Sequence, residues 1–171
     1  DGNAAGNAAG QLMKIRIAAV GKLKEKYLRE GVTEYEKRLR PYASLELSEI
    51  PEARLAEKPS QAERKEALAD EGRRLLRLVP ERGPLIVLDV AGDLLSSEQL
   101  AEKMAALARQ GQSDLTFLIG GAFGLSDEVR KRADLRLSFS RLTFTHQMVR
   151  LLLYEQIYRA FKINRGEKYH W

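Results

Sequence analysis

Two unbroken apolar runs constrain this chain most: LIVLDV at Leu85 to Val90 and LTFLIG at Leu115 to Gly120. A strand with one wet face alternates apolar and polar residues. A run without alternation suits a strand covered on both faces, as in a parallel sheet flanked by helices. A further strand is expected at KIRIAAV, Lys14 to Val20, closed by Gly21. Another is expected at LELSEI, Leu45 to Ile50, which does alternate. Helical patterns lie between these runs. Lys24 to Arg40 is charged and helix-like up to Pro41, with Gly31 its weak point. Ser60, with Glu63 three residues on, forms a capping box and opens a helix to about Val79, ahead of Pro80. Ser97 is read as the cap of a helix through about Gln110, with Gly111 as its stop. The order is β-α-β-α-β-α-β, then a short helix, a short strand and a last helix. It predicts an α/β fold with a mainly parallel sheet and helices on both faces.

At 171 residues, without an internal repeat or linker, one domain over residues 13–171 is expected. Residues 1–12, DGNAAGNAAGQL, are small, polar and repetitive and lack the apolar core of a signal peptide. They read as an expression-tag remnant before a native start at Met13. The chain has no cysteine, which excludes disulfides and thiolate metal sites. His146 and His170 are its two histidines, too few for a His-based metal cluster, so no metal is expected. No apolar run approaches the roughly 20 residues of a membrane span. The expectation is a cytoplasmic protein with no membrane contact.

Charge is unevenly placed. Arg130 to Trp171 holds ten Lys/Arg against three Asp/Glu, a surplus larger than the net +5 of the whole chain. A clustered basic patch favours nucleic acid or another polyanion, and a solvated basic surface is the plainer reading. In the last helix, Val149, Leu152, Leu153, Gln156, Ile157, Ala160 and Phe161 follow helical spacing. Leu151, Tyr154 and Tyr158 add apolar surface on other faces. Such a helix is either a central core helix or one covered by a partner subunit.

Several candidate sites cluster late in the chain. Gly120, Gly121 and Gly124 form GGAFG after a strand, where glycine lets backbone approach a ligand and bares its N–H groups. The pattern is neither GxGxxG nor GxxxxGK[ST], and a plain tight turn also accounts for it. FSRLTF, Phe139 to Phe144, offers hydroxyls and apolar side chains to a ligand; alternatively Thr143 or Thr145 caps the last helix. His146 at that helix start is a ligand contact or a structural hydrogen-bonding group. Asp89 would meet a ribose hydroxyl or satisfy turn amides. The tail KINRGEKYHW mixes cations, aromatics and His170, the chemistry of base stacking and phosphate contact, although tails are commonly disordered.

Taken together, MKIRIAAVGKLKEKY, LDVAGDLLSSEQLA, FLIGGAFGLS, LSFSRLTFTHQMVR and EQIYRAFKINRGEKYH resemble the ribosomal RNA large subunit methyltransferase H family. That family belongs to the SPOUT class of knotted methyltransferases. The resemblance spans Met13 to Trp171 and implies a C-terminal trefoil knot that holds S-adenosyl-L-methionine. The family's cofactor positions match Leu88, Gly121, Phe139, Ser140, Arg141, Leu142, Thr143 and Phe144. The resemblance also implies a homodimer that methylates N3 of a pseudouridine in 23S rRNA within assembled ribosomes. Thr145-His146 stands where relatives usually carry Pro-His, and Trp171 where many carry a basic residue.

Methyl transfer from a sulfonium is an in-line displacement, so positioning dominates. The imide N3 must lose its proton, which calls for a base or a cation that favours the anion. His170 as proton acceptor, Arg159 as cation and Tyr169 as orienting group are the catalytic candidates, with His146 as the alternative base. One tail would complete the other subunit's site. A nucleotide-binding oxidoreductase would need its glycine loop after the first strand and an acidic residue about 20 residues later, which the chain does not offer well. A non-catalytic ribosome- or RNA-binding factor of the same fold is the other reading.

Overall fold

The structure is a computed structural model that describes residues 12–168. The tag reading of residues 1–12 therefore falls almost wholly outside the described residues. Among the described residues five strands form one parallel sheet: β1 (Met13–Val20), β2 (Ala43–Ile50), β3 (Leu85–Leu94), β4 (Asp114–Ile119) and β5 (Leu135–Ser138). Their order is β2-β1-β4-β3-β5. The helices are α1 (Lys26–Leu39), α2 (Gln61–Leu76), α3 (Ser97–Arg109), α4 (Asp127–Arg132) and α5 (His146–Asn164).

The unbroken apolar runs are explained by two cores, one on each face. From β1, Ile15, Ile17 and Ala19 point to the face covered by α1, α3 and α5. Ala18 and Val20 point to the face covered by α2 and α4. The same division holds for Leu115, Phe117 and Ile119 against Leu118 in β4. Burial on both sides removes the reason for polar alternation, as expected for a covered parallel sheet.

Local signals set most boundaries. The Ser60 capping box forms with both halves: Ser60 Oγ accepts from Glu63 N at 3.1 Å, and Glu63 Oε1 accepts from Ser60 N at 3.4 Å. Gly111 stops α3 with φ +80°. Gly31 does not break α1. A Cβ there would lie 2.8 Å from Leu151 Cδ1, so glycine instead lets α1 and α5 approach closely.

Two expectations need correction. The cap of α3 is Ser96, whose Oγ accepts from Gln99 N, with the Gln99 side chain reaching back to Ser96 N. Ser97 lies one position inside the helix, and its Oγ donates to Gln156 Oε1 of α5 at 2.9 Å. The strand read as Leu85 to Val90 runs on to Leu94 through a bulge, because Leu88 and Asp93 both pair with Leu137. Gly92 sits in that bulge, where a Cβ would come within 2.4 Å of the Arg136 carbonyl oxygen.

Candidate cofactor cavity and its surroundings

Ligands of open α/β sheets bind beyond the carboxyl ends of the strands. A cavity of about 850 Å³ lies there. It is bounded by the β3 bulge, the glycine turn after β4, the loop from β5 to α5, and the starts of α1 and α5. That volume falls within the range of small-molecule sites, and most of the lining side chains are apolar.

Each wall has a physical cause. The glycine turn is closed by Gly124 N donating to Gly121 O at 3.1 Å, with Gly124 at φ +95°. A Cβ on Gly120 would stand 2.5 Å from the Gly124 carbonyl oxygen. The turn therefore needs glycine for its own closure, so the plain tight-turn reading is correct, and the same turn forms a cavity wall.

In the next loop, Ser138 Oγ donates to Ser140 O at 3.0 Å, and Ser140 Oγ accepts from Leu142 N at 3.0 Å. Arg141 reaches across to the Val90 carbonyl, joining this loop to the β3 bulge. Thr145, rather than Thr143, caps α5 by accepting from Met148 N at 3.2 Å. Threonine thus supplies an acceptor where proline would only have pre-set φ.

Asp89 satisfies a turn amide, accepting from Ala91 N at 3.0 Å. Its other oxygen lies 3.2 Å from Arg130 and 3.5 Å from Arg136. With 7% of its side chain exposed, Asp89 ties the bulge to α4 and β5.

Of the residues the resemblance marks for the cofactor, Leu88, Gly121, Phe139, Ser140, Leu142, Thr143 and Phe144 line the cavity. Arg141 is not a lining residue and holds the loop from outside. His146 lines the wall, with Nε2 3.3 Å from Glu52 Oε1 but off-axis for a hydrogen bond. Arg159 is elsewhere. It pairs with Glu155 at 2.7 Å and lies ten residues beyond Val149, the last lining residue of α5, about 15 Å along the helix axis. Tyr169 and His170 lie outside the described residues.

Three contributions escape sequence reading. Glu25, Tyr27 and Leu28 close the cavity from the start of α1, where the family-like segment ends but no site role was read. The bulge had one signal, the glycine inside an apolar strand pattern. Arg150 had none. It is 1% exposed, pairs with Glu49, and donates to the Gly21 carbonyl at 2.9 Å. One buried guanidinium thus ties the first turns of α5 to the ends of β1 and β2. It holds the wall formed by His146, Gln147 and Val149.

Among the described residues no helix is long and apolar enough to cross a membrane. Among them, too, no three His, Cys, Asp or Glu side chains are grouped to hold a metal ion.

A family model described as "Predicted SPOUT methyltransferase" matches residues 13–170, and the chain belongs to that methyltransferase family. Within it, the chain is 50% identical over 159 residues to the ribosomal RNA large subunit methyltransferase H of Moorella thermoacetica. That alignment covers 93% of this chain and 99% of the relative. The fold is also that of a probable methylase family protein from Haemophilus influenzae Rd KW20, at a TM-score of 0.51 and 14% identity. The match covers 92% of this chain and 70% of that one.

Proposed function

We propose that this methyltransferase uses S-adenosyl-L-methionine to methylate N3 of a pseudouridine in 23S rRNA of assembled ribosomes, as a cytoplasmic homodimer. The observation that carries the reading is the three-loop cavity at the carboxyl edge of the sheet. It occurs in a chain that matches an rRNA methyltransferase along nearly all of both lengths.

The residues present fit the cofactor. Leu88, Leu137, Phe139 and Val149 give apolar walls for a purine and a thioether, and the Gly120–Gly121 backbone lies open on one side. Bound there, the cofactor supplies an electrophilic methyl group on a sulfonium. Leu88, Gly121, Phe139, Ser140, Leu142, Thr143 and Phe144 would hold it, with Arg141 bracing their loop. With the cofactor held there, N3 would be the acceptor of that methyl group and His170 would take the N3 proton. Arg159, which lies about 15 Å along α5 from the cavity of its own chain, would favour the N3 anion in the partner's site, and Tyr169 would orient the base.

Helix geometry supports a site completed in trans. Asn164, the last residue of α5, lies about 22 Å along the axis from Val149. Glu167 is anchored near that end. His170 follows three residues later, a reach of about 10 Å at most, too short for the cavity of its own chain. The reading therefore assigns the tail to the partner's cavity. The same reading includes the trefoil knot. After β5 at one edge, the chain crosses the carboxyl ends of the strands to enter α5, which packs on α1 and α3.

The test is methyl transfer onto ribosomes from a strain lacking the endogenous enzyme, with titration calorimetry of S-adenosyl-L-methionine. One methyl per ribosome at a pseudouridine N3 is expected. Absence of cofactor affinity would overturn the reading and leave the RNA-binding factor.

A further inference from the structure

The end of α5 is built more elaborately than a helix stop requires. Gly166 N donates to Ile163 O and Glu167 N to Lys162 O, both at 3.0 Å, with Gly166 at φ +66°. That pair of bonds is a Schellman stop, which fixes the direction in which the chain leaves the helix.

Side chains then hold the first residue past the turn. Glu167 Oε2 accepts from Lys162 Nζ at 2.6 Å and from Tyr42 Oη at 2.8 Å. Tyr42 stands immediately before β2 and belongs to neither cavity nor helix. The Arg165 guanidinium covers the Tyr42 ring, 4.5 Å from its centroid. The tail base is thus gripped by a remote segment of the fold. The Lys162 and Tyr42 hydrogen bonds hold the Glu167 carboxyl below its ordinary pKa, so it is ionised at neutral pH.

We propose that Tyr42, Lys162 and Glu167 form a latch whose task is to aim the C-terminal tail, making them positioning residues for the methyl transfer. The inference rests on the reading that the tail completes a site. Its energetic logic is pre-organisation. A tail that leaves the helix in one direction has less freedom to lose when it enters the site, and misaligned reacting groups are costly. A helix stop alone would not need an ion pair and a tyrosine from the far side of α1.

Trp171 is the single tryptophan of the chain and lies in the tail, so its fluorescence anisotropy reports on tail order directly. The full chain is compared with Glu167→Ala, Glu167→Gln, Tyr42→Phe and His170→Ala. Glu167→Ala is expected to lower kcat on ribosomes about tenfold or more, the scale of modest misalignment. Cofactor Kd and Tm should stay unchanged, and Trp171 anisotropy should fall. Glu167→Gln, which still accepts from Tyr42, is expected to retain part of the loss in both readouts. Wild-type turnover and anisotropy in Glu167→Ala and Tyr42→Phe, with His170→Ala inactive, would overturn the latch while leaving the tail's role intact. Full turnover in His170→Ala would overturn the tail's role and the latch with it.

Discussion

At its first turn α5 helps close a cavity, and at its last turn, about 22 Å further on, it holds the base of the tail. The two ends are held by different physics. The cavity end is backbone loops and apolar walls, with one buried guanidinium, Arg150, bridging to Glu49 and the end of β1. The tail end is aromatic and charged. Tyr158 packs against Tyr35 and Tyr42, Arg38 lies over Tyr35, and Glu167 gathers Lys162 and Tyr42. In sequence the two regions are one continuous basic segment and suggest adjacent small-molecule and polyanion sites. In the fold of one chain a helix keeps them apart. The difference teaches that contiguity in sequence, when the connection is a helix, is a fixed separation in space.

The largest expected effect tests that separation. His170→Ala should lower methyl transfer by about 1,000-fold, within the range of a lost acid–base group, while cofactor affinity stays intact. Single-turnover assays and calorimetry on one preparation check it, and parallel loss of both would merge the two ends again.

Arg150→Leu attacks the cavity end. It leaves the Gly21 carbonyl without its donor and the partly exposed Glu49 carboxylate without its partner, and should cost about 2 kcal/mol in urea unfolding. Cofactor affinity should fall with it, because the α5 wall loses its anchor.

Gly120→Ala is narrower. Its Cβ meets backbone oxygen, which cannot swing aside, so about 2 kcal/mol of stability is expected to go, along with cofactor affinity. Unaltered calorimetric affinity would remove the glycine turn from the site.

Acid should open the tail end. The folded pKa of Glu167 is lowered, mainly by the Lys162 hydrogen bond. Its contribution is therefore present above the ordinary glutamate pKa and is lost as pH falls through the lowered one. Trp171 anisotropy is expected to drop in that acidic window, below the ordinary glutamate range, and to stay flat there in Glu167→Gln.

How much was legible follows the range of the forces involved. The Ser60 box, the Gly111 stop and the unbroken run of β4 are signals between residues one to four apart, and each forms as read, whereas the β3 run is covered on both faces only up to Val87 before its bulge. The cap of α3 was read one residue late by overlooking a local signal, since Gln99 stands three residues after Ser96 and nothing comparable follows Ser97. Gln99 decides between them by reaching back to Ser96, and Gln156 of the distant α5 engages Ser97. The loop Phe139 to Phe144 and Gly121 were found through family resemblance, because their residue types alone fit an ordinary turn or helix cap equally well. The role of Arg150 was invisible, although the residue closes a family-like segment. An arginine on a helix ordinarily faces solvent, and only the arrival of β1 and β2 ends beneath it makes it a buried clamp.

By itself, then, the sequence determined the element types, most of their ends and the two-sided burial of the sheet. Those follow from periodicity and from hydrogen bonds between near neighbours. The tertiary structure alone decided the strand order β2-β1-β4-β3-β5, the meeting of three loops and two helix starts around one cavity, and the partners of Arg150 and Glu167. These depend on which distant surfaces bury one another. Apolar burial is non-directional, so a single strand's pattern does not name its neighbour.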